Sequence, residues 1–415
     1  MGQRLRLATQ IKPEIASMTP SRRRVLKMIG AAGLAALWPY RPEPIRRDSP
    51  VADLLPYYAQ SARRNIVIVR GARAILSSRI YPKGTFVRDA FYGPLALNDV
   101  ELSRDCYRWF ERTQLPGGQI MTAVGFTPDD QADLPPMDDD SSMLFVIWSA
   151  WLTRRGVEAN REVVERAFAH VQSHVNAKGE FVSPTGPFRY WADTVSPEKP
   201  ERITHIQGLY ALALRSMHIL GWGGVTDQQV ADAKKRYAAC YNAALKSLTL
   251  GRDTWWAAKL DISTVFPEFL FRWAFGETAL SDPIVTNTVA RMVRNAAVYK
   301  GGKIAGIKAI CDKDGKFLPA DRFHVPVLNR PGDYQNGGYW PMYTLTALAL
   351  AYRIAPSKTY KSIVETLVAA ELASDHVSKE IILLRPGAVG TSDPKRNAYT
   401  WNALIAPALK WAGVV

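Results

Sequence analysis

The chain has 415 residues, 47% of them hydrophobic and 22% charged, the make-up of a globular protein with a large core and one or two domains. Its formal net charge of +15 is front-loaded: residues 1–48 carry ten Lys/Arg against three Asp/Glu, leaving +8 spread over the body without a Lys/Arg tract. That dispersal gives a nucleic-acid partner no support and reads as solvated surface. Cys106, Cys240 and Cys311 are too few and too scattered for a disulfide framework or a metal cluster, and read as small buried apolar side chains.

In chain order, the leader comes first. Ser21-Arg22-Arg23-Arg24-Val25-Leu26-Lys27 resembles a twin-arginine export motif, and the apolar run Met28–Trp38 that follows is far shorter than the roughly 20 residues a spanning helix needs. An exported protein is expected, periplasmic, extracellular or held at a membrane through this leader alone. A basic tail is the plainer alternative, and the alanines at 31, 32, 35 and 36 offer only approximate cleavage sites. After the Pro/Arg-rich linker 41–50, residues 51–415 are expected to form one catalytic domain.

From about Val51 on, amphipathic helical segments alternate with Gly/Pro/Asp-rich connections: 141–153, 161–175, 203–220, 227–247, 283–298, 343–354 and 358–373. Val163, Val164, Ala167, Phe168 and Val171, for example, fall on one helical face. With weaker segments the total is on the order of a dozen helices, and short connections imply antiparallel pairs. About six such hairpins can close into an all-α (α/α)6 toroid. Strand-like alternation is scarce, and Ile66–Val69 reads as a short strand.

Five segments could carry chemistry. In Phe86-Val87-Arg88-Asp89, the forked donor Arg88 and the acceptor Asp89 stand between aromatics and suit neighbouring sugar hydroxyls; an ion pair at a helix start accounts for them equally well. Asp138-Asp139-Asp140 precede an apolar helix. One acid is explained as an N-cap, whereas a repelling trio suggests that a pair of them, with Asp139 and Asp140 the candidates for substrate, hydrogen-bonds substrate or else binds a hard cation such as Ca²⁺. Trp191-Ala192-Asp193 lies in a Gly/Pro-rich turn, where a carboxyl beside an indole can be kept protonated and act as a proton donor. His205 and Gln207 follow as polar wall residues, with no second histidine at metal-ligand spacing. The stretch Gly332-Asp333-Tyr334-Gln335-Asn336-Gly337-Gly338-Tyr339-Trp340 joins amides and aromatics suited to a sugar subsite with paired glycines that permit close backbone approach. Near the C-terminus, Glu380 is a candidate second carboxylate, or else an exposed helix-end glutamate. Nucleophile elbows, zincin motifs, Walker loops and dinucleotide fingerprints are missing from the sequence.

Taken in order, these segments resemble the six-hairpin glycosidases, in particular the glucoamylase-like and glycogen-debranching amylo-1,6-glucosidase families. Phe86-Val87-Arg88-Asp89 is similar to their aromatic-x-Arg-Asp motif, and Asp140-Ser141-Ser142-Met143-Leu144-Phe145 to a debranching-enzyme segment. Trp191-Ala192-Asp193 resembles the Trp-Met-Asp that carries the general acid, and Gly338-Tyr339-Trp340-Pro341 a glucoamylase segment. Glucoamylases place Glu directly after the Trp, where this chain has Ala192. The resemblance implies a monomeric hydrolase of an oligo- or polysaccharide that needs no cofactor or metal. Asp193 would be the acid, and Glu380, or in its place Asp333, the base that activates water with inversion, the carboxyls standing roughly 6.5–9.5 Å apart. Arg88, Asp89 and Asp140 would hold the sugar; Trp191, Tyr339 and Trp340 would stack on it; Asp139, His205, Gln207 and Asn336 would complete the lining. A polysaccharide lyase on the same toroid and a non-catalytic glycan-binding envelope protein are the alternatives.

Overall fold

The computed structural model describes residues 51–132, 138–372, 375–392 and 397–415; the segment 1–50, expected to be an export leader and linker, lies outside the described residues. Among the described residues, twelve helices have eight residues or more. Six of them form an outer layer: α1 Pro56–Arg63, α3 Val100–Arg112, α5 Arg161–Gln172, α7 Asp227–Ala238, α9 Asp282–Ala296 and α11 Lys358–Leu372. They alternate along the chain with six inner helices: α2 Val87–Leu97, α4 Asp139–Thr153, α6 Thr204–Leu220, α8 Phe266–Phe275, α10 Pro341–Ile354 and α12 Ile405–Ala412.

Composition explains the two layers. Inner helices are apolar all round, so burial takes nearly the whole of α4 (Asp140 to Leu152) and of α10 (Pro341 to Ala351). Outer helices bury one stripe only, such as Val230, Ala233 and Tyr237 on α7. Each inner helix packs on the next, from α2 through α4, α6, α8 and α10 to α12. The ring closes where the short 3-10 turn Trp401–Leu404, just ahead of α12, packs against α2. The result is an (α/α)6 toroid. Its axis is filled by aromatic rings: Tyr92 meets Phe266 at 5.4 Å between centroids, and Phe266 meets Tyr343 at 5.2 Å.

The helices begin differently in the two layers. On the outside, Asp99 caps α3, Asn160 caps α5, and Thr226 caps α7 in a reciprocal box with Gln229. None of the six inner helices donates a hydrogen bond to its own N-cap side chain. Asp138, placed to cap α4, turns its carboxylate elsewhere.

Most helical segments expected from periodicity are present with small shifts at their ends. The exception is 227–247, where α7 stops at Ala238 and the chain turns into a hairpin pairing Tyr241 with Leu248. Asn242 accepts from Leu245 N–H inside that turn, an alternative to helix that a side-chain carbonyl offers readily. The expected strand Ile66–Val69 is present, paired antiparallel with Ala72–Ile75.

Candidate active site

All six inner-helix N-termini meet at one end of the ring. Arg88 and Asp89 stand in the first turn of α2, Asp138 to Asp140 open α4, and His205 opens α6. Ser263 precedes α8, Trp340 precedes α10, and Trp401 precedes α12. Direct contacts tie them together. Trp191 donates from Nε1 to Ser263 Oγ (2.6 Å), lies 4.3 Å from the Tyr343 ring and meets Trp340 at 5.1 Å. Trp340 in turn meets Trp401 at 5.9 Å. His205 donates from Nδ1 to the Ser263 carbonyl at 3.0 Å, and burial drops its pKa to about 3, so the imidazole is neutral.

Asp193 is partly exposed at this end, on the loop before α6. Gln335 Nε2 donates to its Oδ1 at 2.7 Å, and Tyr334 O–H does so at 3.3 Å. Loss of water, then the negative charge of Asp138, pushes the Asp193 carboxyl up to about 6 against the opposing pull of Gln335 and Arg88. Glu380 adds to the same upward push, which places the two acids within electrostatic reach of each other. Glu380 itself is 3% exposed and stands eight residues beyond the end of α11, neither exposed nor at a helix end.

The Arg–Asp pair divides its work. Arg88 is buried, and its Nε and Nη2 reach Asp140 (3.0 and 2.8 Å) while Nη2 also reaches Asp138 (2.6 Å). A guanidinium therefore fills the place between these carboxylates that a hard cation would take, and no metal-binding group of three ligands occurs among the described residues. Asp89 accepts from Ser77 Oγ at 2.5 Å through Oδ2, while its Oδ1 is buried without a partner. Burial lifts Asp89 and Asp140 to about 7, Arg88 opposing the shift in both, and the Glu380 charge contributes to the rise at Asp89. Asp139 faces away to Arg189 at 3.3 Å, with its pKa raised by burial to about 6.

Several of the residues proposed from sequence have local work instead. Tyr339 is fully buried with its ring against Gly306, on the side of Glu371 rather than Asp193. Asn336 spends its amide on Leu318 N–H and on the carbonyls of Leu318 and Asn329. Gln207 donates to the Phe181 carbonyl at 2.5 Å. Asp333 forms an ion pair with Arg385 at 3.3 Å. The paired glycines do permit close approach: a Cβ on Gly338 would lie 2.4 Å from the Tyr334 carbonyl oxygen.

Gln335 is the residue that reading the sequence missed. Its Oε1 accepts from Thr194 N–H (2.9 Å) and Thr194 Oγ1, while Nε2 reaches Asp193 and the Trp191 carbonyl. One amide thus pins the acid's loop to the 332–338 loop. That loop stands out in the sequence for its amides, but nothing there distinguishes Gln335 from Asn336.

The architecture is the six-hairpin glycosidase fold. A solved glycosidase in complex with glucose superposes with a TM-score of 0.61 over 88% of this chain and 97% of its own, at 14% identity. Mannosylglycerate hydrolase from Thermus thermophilus, with Tris and D-glycerate, gives 0.57 over 86% and 100% at 11% identity. A bacterial glucoamylase complexed with acarbose gives 0.53 over 80% of this chain and 49% of its own, at 10% identity. No protein-family model and no curated protein matches the sequence.

Proposed function

We propose that this protein is an exported, monomeric glycoside hydrolase that cleaves an O-glycosidic bond of an oligo- or polysaccharide with inversion. The observation that carries the reading is the Asp193 carboxyl, which stands partly open at the inner-helix N-termini with its pKa lifted to about 6. A carboxyl so poised is half protonated at about pH 6, and its proton can pass to a leaving oxygen.

In the reaction, Asp193 transfers its proton to the glycosidic oxygen as the anomeric C–O bond breaks. A water adds to the opposite face of the anomeric carbon and gives its proton to Glu380. Glu380 is favoured over Asp333 because its charge is felt at Asp193 and Asp89, whereas Asp333 is held by Arg385. Arg88 keeps Asp138 and Asp140 in register, and Asp138 keeps the acid protonated. Trp191 and Trp340 supply aromatic surface. The fold's solved neighbours, which include a glucoamylase, support glycoside hydrolysis as the reaction class.

The test is hydrolysis of a panel of glycans by wild type, Asp193→Asn, Glu380→Gln and Asp333→Asn. Loss of turnover in the first two, with Asp333→Asn active and the initial sugar product of inverted anomeric configuration by NMR, is the expected result. Full activity of Asp193→Asn overturns the assignment.

A further inference from the structure

A cavity of about 1040 Å³ lies between the hairpin Ala297–Lys300/Lys303–Ile307 and the outer helix α11, with neither Asp193 nor Glu380 in its lining. Ile304 and Ile363 lie in its lining. Around it stand Lys300, Lys303 and Lys358, all exposed, and Tyr299, which is 61% exposed although large and aromatic. Thr359 and Ser362 add hydroxyls along α11. Among the described residues that line the cavity, none is Asp or Glu.

The charges here add rather than cancel. Helix α11 opens with Lys358 and has no acid in its first turn, so its positive end points the same way as the lysines. Lys300 is steadied by donating to the Val389 carbonyl at 2.9 Å. The volume matches the upper end of small-ligand sites, which span roughly 300–1,000 Å³. A ring face, hydroxyls and three cations over an apolar floor suit a ligand that is amphipathic, hydroxylated and anionic.

We infer that this groove is a second carbohydrate site, which holds a stretch of acidic polysaccharide on the outer face of the toroid. That its occupant is a glycan rests on the glycosidase reading; that it is anionic rests on the lysines alone. The groove and the site share one strap of chain: Ile382 and Gly390 line the groove, and Ile382 pairs with Tyr339 two residues beyond Glu380. A chain held here touches that strap two residues from Glu380.

The experiment measures binding of polygalacturonate, which has one carboxylate per sugar, to the full chain carrying Asp193→Asn, with dextran as the neutral probe and single-stranded DNA as the competing polyanion. The expected result is salt-sensitive binding of polygalacturonate and none of dextran. Lys300→Gln/Lys303→Gln/Lys358→Gln should weaken it at least tenfold, Tyr299→Ala severalfold, and the triple Arg replacement little. Binding that survives the triple Gln change, disappears in the triple Arg variant, or is tighter for DNA overturns the inference. Because binding is read without turnover, these outcomes are independent of whether Asp193 is the acid.

Discussion

Gln335→Leu separates the acid from its strongest hydrogen-bond partner while keeping side-chain size. In the wild type, the 2.7 Å bond from Nε2 favours the ionised Asp193 and so holds its pKa down. A hydrogen bond to a charged group is worth about 1.5–3 kcal/mol, and one pKa unit is about 1.4 kcal/mol, so its removal raises the acid by about one to two units. The sign follows from the proposed role: with Asp193 as proton donor the active form is protonated, so the alkaline limb of kcat/KM, expected near pH 6 in the wild type, moves toward pH 7 or above. The same substitution leaves Thr194 N–H unsatisfied, at a cost of about 1–3 kcal/mol of stability. Thr194→Val serves as the control, because it removes only the hydroxyl bond to Oε1. The assay is a pH profile of kcat/KM on whichever glycan the wild type hydrolyses, alongside thermal unfolding. An unmoved limb, an acidward shift in Gln335→Leu, or an equal shift in Thr194→Val would refute the claim that this bond sets the acid's pKa.

Arg88→Ala leaves Asp138 and Asp140 buried without their cation and should cost about 3–5 kcal/mol, read by denaturant unfolding; a loss under about 1 kcal/mol would show that the cluster is held by other means. Stability should fall as pH rises from about 5 to 8. Asp89, Asp140 and Glu371, all raised to about 7, bind more protons folded than unfolded, so alkali favours the unfolded chain; a Tm that climbs over this range contradicts it. Glu371 accepts from Tyr58 O–H at 2.6 Å and from Lys379 N–H at 2.9 Å, next to Glu380. Glu371→Gln, which mimics its protonated form, should cost less stability than Glu371→Ala, the latter about 1–3 kcal/mol by unfolding. Gly338→Ala forces a methyl onto the Tyr334 carbonyl and should reduce kcat through the displaced Tyr334 and Gln335; unaltered kinetics would show that the loop yields freely.

The helices were legible from apolar periodicity, but the two layers were not separated there: segments read alike as amphipathic divide in the fold into ones apolar all round inside and striped ones outside. Which way each polar residue turns was not legible, and three neighbouring pairs show why. Tyr339 and Trp340 read as one aromatic wall. The chain at Tyr339 is extended and pairs with Ile382, so successive side chains take opposite faces, and only Trp340 meets Trp191. That parity signal is available in the sequence once the stretch is read as extended. Asp139 and Asp140 lie about a third of a turn apart on one helix, which sends one to Arg189 and the other to Arg88. Gln335 and Asn336 differ only in which loop happens to face them, and that depends on contacts with Asp193 and Leu318 at distances of 142 and 18 residues along the chain.

The gathering of acids at this end follows from the same geometry. Asp89, Asp138 and Asp140 share a small space with Asp193 and Glu380, and Arg88 reaches only two of them. Six inner-helix N-termini, none capped by its own side chain, present their positive ends here and offset part of the mutual repulsion. If that field dominated, every carboxyl would be pulled below its ordinary range. Asp193 rises instead, because exclusion of water and the neighbouring Asp138 charge outweigh the Gln335 bond and the Arg88 charge together. Replacing Asp138 by Asn therefore ought to lower the Asp193 pKa and drag the alkaline limb of the profile acidward, the reverse of Gln335→Leu. Opposite displacements from two residues that both touch the acid's surroundings are the signature of an electrostatic balance, and a loop that had merely lost its shape would not produce them.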